Sequence, residues 1–317
     1  MTYVLRADAS QSMGSGHVMR LSALAEELIA RGEMVTFIGN ISEVPWVKDK
    51  MNRIGFSEIL SEDRYFYPNP IMDILILDCY HLPIHHSFLI REKWKAIVVV
   101  ADDATPPYYA DLLIYPCILL DFKLLNDTKM LGGPKYIPLR KSISKNTHSK
   151  LDTDKLEIVV VGGGTDLYNF VGEITKILIS IPSDFQVTLF SNQLKNLDLD
   201  SRFTIIPIGE TLDEKVKSAD LIFTTASTSS LEFIAQEVAI GVGCAVDNQV
   251  KIYDSLKKLD IAAPIGRYIE GKWEIDRCKI QELVGDISLR KRLITNCSNL
   301  VDLNGAKRIV DEITKLN

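Results

Sequence analysis

The residue best suited to chemistry near the amino terminus is His17, which ends the sequence Gly14-Ser15-Gly16-His17. The apolar run Tyr3-Val4-Leu5-Arg6 precedes this loop, and an amphipathic stretch over about residues 17–30 follows it, which predicts a strand, a turn and a helix. The positive end of a helix dipole disfavours a protonated imidazole, so His17 is a candidate general base. The alternative is a histidine that only caps or packs the helix.

Two acidic motifs follow further apolar runs of the first half. Asp78-Cys79-Tyr80-His81 comes after the run at 74–77, and Asp102-Asp103 comes after the run at 96–100. Carboxylates at strand ends can orient a sugar hydroxyl or bind a metal, and they can equally cap a turn or a helix. Because neither motif has the spacing of a metal site, we expect no essential metal.

Small and hydroxyl-bearing residues follow two apolar runs of the second half. Gly162-Gly163-Gly164-Thr165-Asp166 ends the run at 158–161 and opens a predicted helix, and the segment from Ala226 to Glu232 does the same after the run at 221–224. Such turns let backbone N–H groups approach a diphosphate, and Glu232 would accept hydrogen bonds from a ribose. Simple capping of a helix is the alternative for the Ser/Thr run.

The elements that must position these residues alternate between short buried strands and helices in both halves. This pattern is typical of α/β domains with parallel sheets. A polar, lysine-rich segment at 141–155 separates the halves and is interpreted as a linker. We therefore predict two Rossmann-like domains, 1–145 and 146–317, with a ligand cleft between them at the carboxyl ends of the strands. A last helix at about 305–316 is expected to pack back on the first domain.

Composition limits the class of protein further. The net charge of -6 gives no electrostatic support for a nucleic-acid partner. The start of the chain does not have the pattern of a signal peptide, no apolar run is long enough to span a bilayer, and the five cysteines include no C-x-x-C pair. We expect a monomeric cytoplasmic protein that binds a small molecule, and no NAD site, because Met19 replaces the third fingerprint glycine.

Taken in their order along the chain, these motifs resemble the PseG family of UDP-2,4-diacetamido-2,4,6-trideoxy-β-L-altropyranose hydrolases, which serve pseudaminic acid biosynthesis. The resemblance covers roughly residues 3–250 of this sequence. The matching pieces are Arg6-Ala7-Asp8-Ala9-Ser10, Gly14 to Arg20, Asp78-Cys79-Tyr80, Asp102-Asp103, Leu131 to Tyr136 with Leu139-Arg140, Gly163 to Asp166, Ala226 to Glu232, and Asn248-Gln249.

The resemblance implies a GT-B fold, similar to that of the MurG-type glycosyltransferases, with UDP held mainly by the second domain. It also implies that water attacks the anomeric carbon with inversion and that UDP leaves without a metal or cofactor. His17 matches the catalytic histidine, Tyr80 and Asn248 match positions near the sugar, and Glu232 matches the ribose-binding position. The remaining expected substrate-binding residues are Arg6, Asp8, Gly14, Gly16, Asp78, Asp103, Gly164, Thr165, Ser227, Thr228, Ser229 and Gln249.

Two other functions remain open from the sequence. A glycosyltransferase would use the same histidine to deprotonate an acceptor hydroxyl, and a binding protein would keep the cleft without catalysis. Hydrolysis and glycosyl transfer both need a base beside the anomeric carbon and an anion site for UDP. The sequence shows neither a basic amphipathic membrane surface nor an acceptor-recognition domain, which favours hydrolysis.

Overall fold

The computed structural model describes residues 1–79, 82–83, 85–102, 109–120, 128–146, 155–194, 197–209 and 211–317. The chain divides into two compact units, Met1–Lys141 with Asp302–Asn317, and Ser142–Val301. Tyr80 and Asp103, both expected at the site, lie outside the described residues. Among the helices that are described, none is long and apolar enough to cross a membrane.

The first unit is built on a sheet of parallel strands in the order β3-β2-β1-β4-β5-β6-β7. Its strands are β1 (Thr2–Arg6), β2 (Met34–Ile38), β3 (Glu58–Leu60), β4 (Ile74–Leu77), β5 (Ala96–Val100), β6 (Leu112–Tyr115) and β7 (Lys129–Gly132). Helix α1 (Gly16–Ala30) joins β1 to β2, and α2 (Pro45–Ile54) joins β2 to β3. The strand order reverses between β1 and β4, which is where open α/β sheets bind ligands.

The two faces of this sheet bury different cores. Tyr3 and Leu5 of β1 pack with Ile76 of β4 and with α1. Val4 and Leu77 pack on the other face, against Trp94 and Phe88. Since successive side chains of a strand alternate between faces, each polar residue at a strand end lies on one face of the sheet.

The last helix, α9 (Gly305–Ile313), packs on the first unit beside α1. Ile309 and Val310 enter the core that contains Tyr3 and Leu5. Gly305 permits this docking, because a Cβ there would lie 1.9 Å from the carbonyl oxygen of Ile137.

The second unit contains a sheet in the order β10-β9-β8-β11-β12-β13-β14. The strands are β8 (Leu156–Val161), β9 (Phe185–Phe190), β10 (Phe203–Ile206), β11 (Leu221–Thr225), β12 (Ala239–Cys244), β13 (Ala263–Ile269) and β14 (Lys272–Ile275). The helices are α3 (Phe170–Ile179), α4 (Leu212–Val216), α5 (Thr228–Ala235), α6 (Val250–Lys258), α7 (Arg277–Gly285) and α8 (Ile287–Cys297).

Two features of the second unit differ from the sequence-based expectation. Strand β14 runs antiparallel to β13, joined by a two-residue turn in which Glu270 (φ 49°) and Gly271 (φ 82°) are both left-handed. Helix α3 begins at Phe170 and not directly after the glycine loop. Gly163, Asp166 and Asn169 have φ values of 91°, 50° and 53°, which a right-handed helix does not accept.

Candidate active site

His17 is the second residue of α1, directly after a loop that requires glycine at position 14, where φ is 81°. Its Nδ1 atom lies 2.6 Å from Oδ1 of Asp78, the residue that follows β4. The Asp78 side chain is fully buried and that of His17 is 14% exposed. The helix start and the strand end therefore hold the imidazole against a buried carboxylate.

This contact selects one tautomer of the His17 ring. An ionised carboxylate only accepts hydrogen bonds, so Nδ1 carries the hydrogen and donates it to Asp78. The lone pair of the neutral ring then lies on Nε2, the atom that would take up a proton in general-base catalysis. The sequence placed Asp78 near the substrate, and the structure assigns it a contact with the candidate base.

Arg20 lies one turn further along α1 and is 4% exposed. Its Nε and Nη2 atoms donate to the two carboxylate oxygens of Asp78, each at 2.9 Å. Its Nη1 and Nη2 atoms also donate to Asp102, which follows β5. Nη2 lies 3.0 Å from Nδ1 of His17, but both nitrogens carry hydrogens, so this is a close approach. Arg20 fixes the orientation of the carboxylate that fixes His17.

From the sequence alone, Arg20 is only the last residue of the motif from Gly14 to Arg20 that matches the PseG family. The spacing of three residues between His17 and Arg20, which puts both on one side of a helix, is the signal that would have found it. We name the arrangement of His17, Arg20, Asp78 and Asp102 the histidine cluster. Asp102, with its side chain 32% exposed, is its most accessible carboxylate.

The structure does not bring Arg6 and Asp8 into the histidine cluster. Both side chains are buried, and Arg6 Nη1 lies 2.7 Å from Asp8 Oδ2. Arg6 Nε donates to Asp63 at 2.5 Å, and the backbone N–H of Asn40 donates to Asp8 at 2.6 Å. Arg6 follows Val4 in the strand alternation, so it lies on the face of the sheet opposite α1.

In the second unit, the glycine loop after β8 leads to Asp166, which is 3% exposed. Its carboxylate accepts hydrogen bonds from the backbone N–H groups of Phe170 at 2.8 Å and of Val171. Burial raises the pKa of Asp166 to about 7, against the effect of these two hydrogen bonds. Gly164 and Thr165, both expected to bind substrate, are half-buried on the same loop.

The Ser/Thr turn lies between β11 and α5. Ser227 precedes the helix in extended conformation, and its Oγ atom is buried without a hydrogen-bond partner among the described residues. Thr228 and Ser229 are half-buried in the first turn of α5, where backbone N–H groups are available to an anion. Glu232 lies one turn further along and is 6% exposed, so only the edge of its side chain is accessible.

Asn248 and Gln249 belong to a short 3₁₀ turn, Asp247–Gln249, after β12. Asn248 is exposed, whereas Oε1 of Gln249 accepts a hydrogen bond from the backbone N–H of Ala245 at 2.8 Å. Gln249 therefore supports the loop that carries Asn248. In the described part of the chain, no group of three or more His, Cys, Asp or Glu side chains has the arrangement of a metal site.

Comparisons with solved structures define the class of fold. MurG of Acinetobacter baumannii matches with a TM-score of 0.66 and 13% identity, covering 99% of this chain and 100% of that one. A glycosyltransferase of kitacinnamycin matches with a TM-score of 0.68 and 13% identity, over 99% and 98%. A putative UDP-N-acetylglucosamine 2-epimerase of Listeria monocytogenes matches with a TM-score of 0.63 and 11% identity, over 99% and 96%. The chain has the GT-B fold.

Sequence comparison gives one relative of unknown function. The uncharacterized protein MJ1062 of Methanocaldococcus jannaschii is 26% identical over an alignment of 291 residues that covers 82% of this chain. The chain spans only 59% of the length of that relative. No family model matches the chain.

Proposed function

We propose that the protein hydrolyses a UDP-sugar at the anomeric carbon, releasing UDP and a free sugar. The observation that carries the proposal is the 2.6 Å contact between His17 Nδ1 and the buried Asp78, at the point where the strand order of the first sheet reverses. Such a contact orients an imidazole and stabilises the imidazolium that forms when Nε2 accepts a proton.

In this mechanism, Nε2 of His17 takes a proton from water as the water oxygen bonds to the anomeric carbon. The bond between that carbon and the phosphate oxygen breaks, and UDP leaves with the bonding electron pair. A single displacement of this kind inverts the anomeric configuration. Asp78 keeps its orientation throughout, because Arg20 holds both of its oxygens.

The second unit supplies the groups suited to the nucleotide. The turn from Ser227 to Ser229 offers backbone N–H groups of α5 and a buried hydroxyl to the diphosphate, and Glu232 offers a carboxylate to the ribose. Tyr80 and Asn248 are proposed near the sugar from the PseG resemblance alone. That resemblance also supplies the proposed substrate, a UDP-2,4-diacetamido-2,4,6-trideoxyhexose, and the proposed pathway, pseudaminic acid biosynthesis.

Transfer of the sugar to an acceptor hydroxyl is the second candidate function. The observation in its favour is the fold likeness to several glycosyltransferases. The same Nε2 atom would then deprotonate the acceptor in place of water.

Incubation of the purified protein with the UDP-sugar and no acceptor separates the two functions. If the protein is a hydrolase, UDP and free sugar are expected in equal amounts over many turnovers. UDP release that starts only when an acceptor is added would overturn the hydrolase and support the transferase. A His17→Ala sample run in parallel identifies release by contaminating enzymes, because that release would persist in the variant.

A further inference from the structure

A cavity of about 1140 Å³ lies within the first unit, and its described lining includes Arg6 and Asp8 but not His17. The loop from Asp8 to Ser10 lines this cavity and continues to the loop that carries His17. The two consecutive residues that follow β4 lie on different faces of the sheet. Asp78 contacts His17 on the α1 face, whereas Cys79 packs with the core of the opposite face.

Part of the wall of the cavity is an ion network, which we name the arginine cluster: Arg6, Asp8, Asp63 and His86. Burial alone would lower the pKa of Arg6, but the carboxylates of Asp8 and Asp63 raise it, so the guanidinium stays charged. Nη1 of Arg6 lies 2.7 Å from Oδ2 of Asp8, and Nε donates to Asp63, so the two carboxylates hold the guanidinium in place.

His86 presents a hydrogen-bond donor to the same cavity. Its Nδ1 accepts a hydrogen bond from the backbone N–H of Phe88 at 3.2 Å, so the hydrogen of the neutral ring lies on Nε2. Nε2 lies 3.8 Å from Oδ2 of Asp63. A donor and an acceptor thus lie close together in the wall, as in sites that bind hydroxyl groups.

The charge of the wall excludes one class of ligand. The described lining carries two cations, Arg6 and Lys93, and a larger set of carboxylates: Asp8, Glu43, Glu62, Asp63 and Glu92. A phosphate or diphosphate would meet net repulsion here. The ligand is therefore uncharged or carries an amine.

Aromatic side chains supply the apolar part of the wall. The ring of Phe66 is stacked on Trp94 with an interplanar angle of 3° and centroids 6.1 Å apart, and Phe88 packs edge-on against Trp94 at 5.0 Å. Tyr67 also lines the cavity and is 87% exposed. A rigid aromatic surface beside carboxylates suits the C–H face and the hydroxyl edge of a sugar ring.

We propose that this cavity binds a phosphate-free sugar, either uncharged or amine-bearing, independently of the nucleotide and of turnover. The proposal goes beyond the hydrolysis at His17, because the described lining of the cavity does not include His17.

Saturation-transfer NMR with the full chain tests it, using N-acetylglucosamine, glucosamine and glucose 1-phosphate as probes and no UDP. The first or the second probe is expected to bind, with glucose 1-phosphate at least about tenfold weaker because of the acidic wall. No binding by either phosphate-free probe, or tighter binding of glucose 1-phosphate, would overturn the proposal.

Variants locate the bound probe. Tyr67→Ala is expected to weaken binding about fivefold or more through loss of ring contact, while Tyr65→Ala, an exposed tyrosine outside the lining, leaves it unchanged. Asp63→Asn should also weaken binding, with its fold checked by circular dichroism. Equal effects of the two tyrosine variants, or loss of binding in His17→Ala, would place the probe elsewhere and contradict the assignment.

Discussion

The histidine cluster and the arginine cluster each contain an arginine, two aspartates and a histidine, but the hydrogen lies on different nitrogens of the two histidine rings. In each, a buried arginine pairs with two aspartates that follow strands of the first sheet, and a histidine lies beside one of them. The separation is 2.6 Å for His17 and Asp78, and 3.8 Å for His86 and Asp63. The ring nitrogen that carries the hydrogen is also reversed, because Asp78 accepts from Nδ1 of His17 while a backbone N–H donates to Nδ1 of His86.

This difference shows how the neighbour of Nδ1 decides what a histidine can do. A carboxylate at Nδ1 leaves a basic Nε2, and a backbone donor at Nδ1 leaves an Nε2–H group. The first suits proton removal, and the second suits hydrogen bonding to a ligand. The following predictions test this contrast and then the division of roles between the two units.

The largest expected effect is that of removing the base. His17→Ala is expected to lower kcat about 100-fold or more, since a general base is lost, while UDP affinity is kept. Steady-state kinetics and calorimetric titration with UDP measure the two quantities. His85→Ala, an exposed histidine next to the arginine cluster, is the control and should keep kcat. Equal loss of UDP affinity in His17→Ala would mean that this side chain contacts phosphate.

Arg20→Lys tests whether the arginine positions the pair formed by His17 and Asp78. Lysine cannot donate to Asp78 and Asp102 in the same forked geometry, so we expect kcat to fall about tenfold with little change in KM. The pH–rate profile should change as well, because the carboxylate beside His17 loses its fixed partner. A profile that keeps its shape while only the melting temperature falls would give Arg20 a purely structural role.

The sequence predicted more of the sheets than of these clusters. Continuous apolar runs identified strands such as β4 and β5, because a strand buried on both faces has few polar residues. His17 and Asp78 are 61 residues apart in the sequence, and their contact depends on the pairing of β1 with β4, which local patterns do not encode. Asp63 and His86 lie in short 3₁₀ turns or beside them, where no periodicity marks a role. The antiparallel β14 was missed for the same reason, since it is a short edge strand.

Asp166 provides a pH-dependent test in the second unit. Because its folded pKa is raised to about 7 from 3.8, the folded state binds more protons than the unfolded state in this window. Stability should therefore fall as the pH rises from about 4 to 7, by at most about 1.4 kcal/mol per pH unit. In Asp166→Asn this decline should be reduced, while Asp184→Asn, at an exposed carboxylate, retains it. Urea unfolding across this range measures the difference, and identical slopes for both variants would refute the assignment.

The last expected effect concerns binding of the nucleotide. Glu232→Ala should weaken UDP binding about tenfold, as for loss of a charge-assisted hydrogen bond, and leave the fold intact. Glu173→Ala, at an accessible carboxylate that pairs with Lys176 on α3, is the matched control. An unchanged UDP titration for Glu232→Ala would show that this residue does not bind the ribose. It would not affect the role proposed for His17.

The most direct test of the central claim is the origin of the oxygen that is added during hydrolysis. In water enriched in ¹⁸O, attack at the anomeric carbon by water activated by His17 leaves the released UDP unlabelled. Mass spectrometry of UDP after many turnovers is predicted to show no incorporation. Incorporation of ¹⁸O into the terminal phosphate of UDP would show attack at phosphorus and would contradict the account.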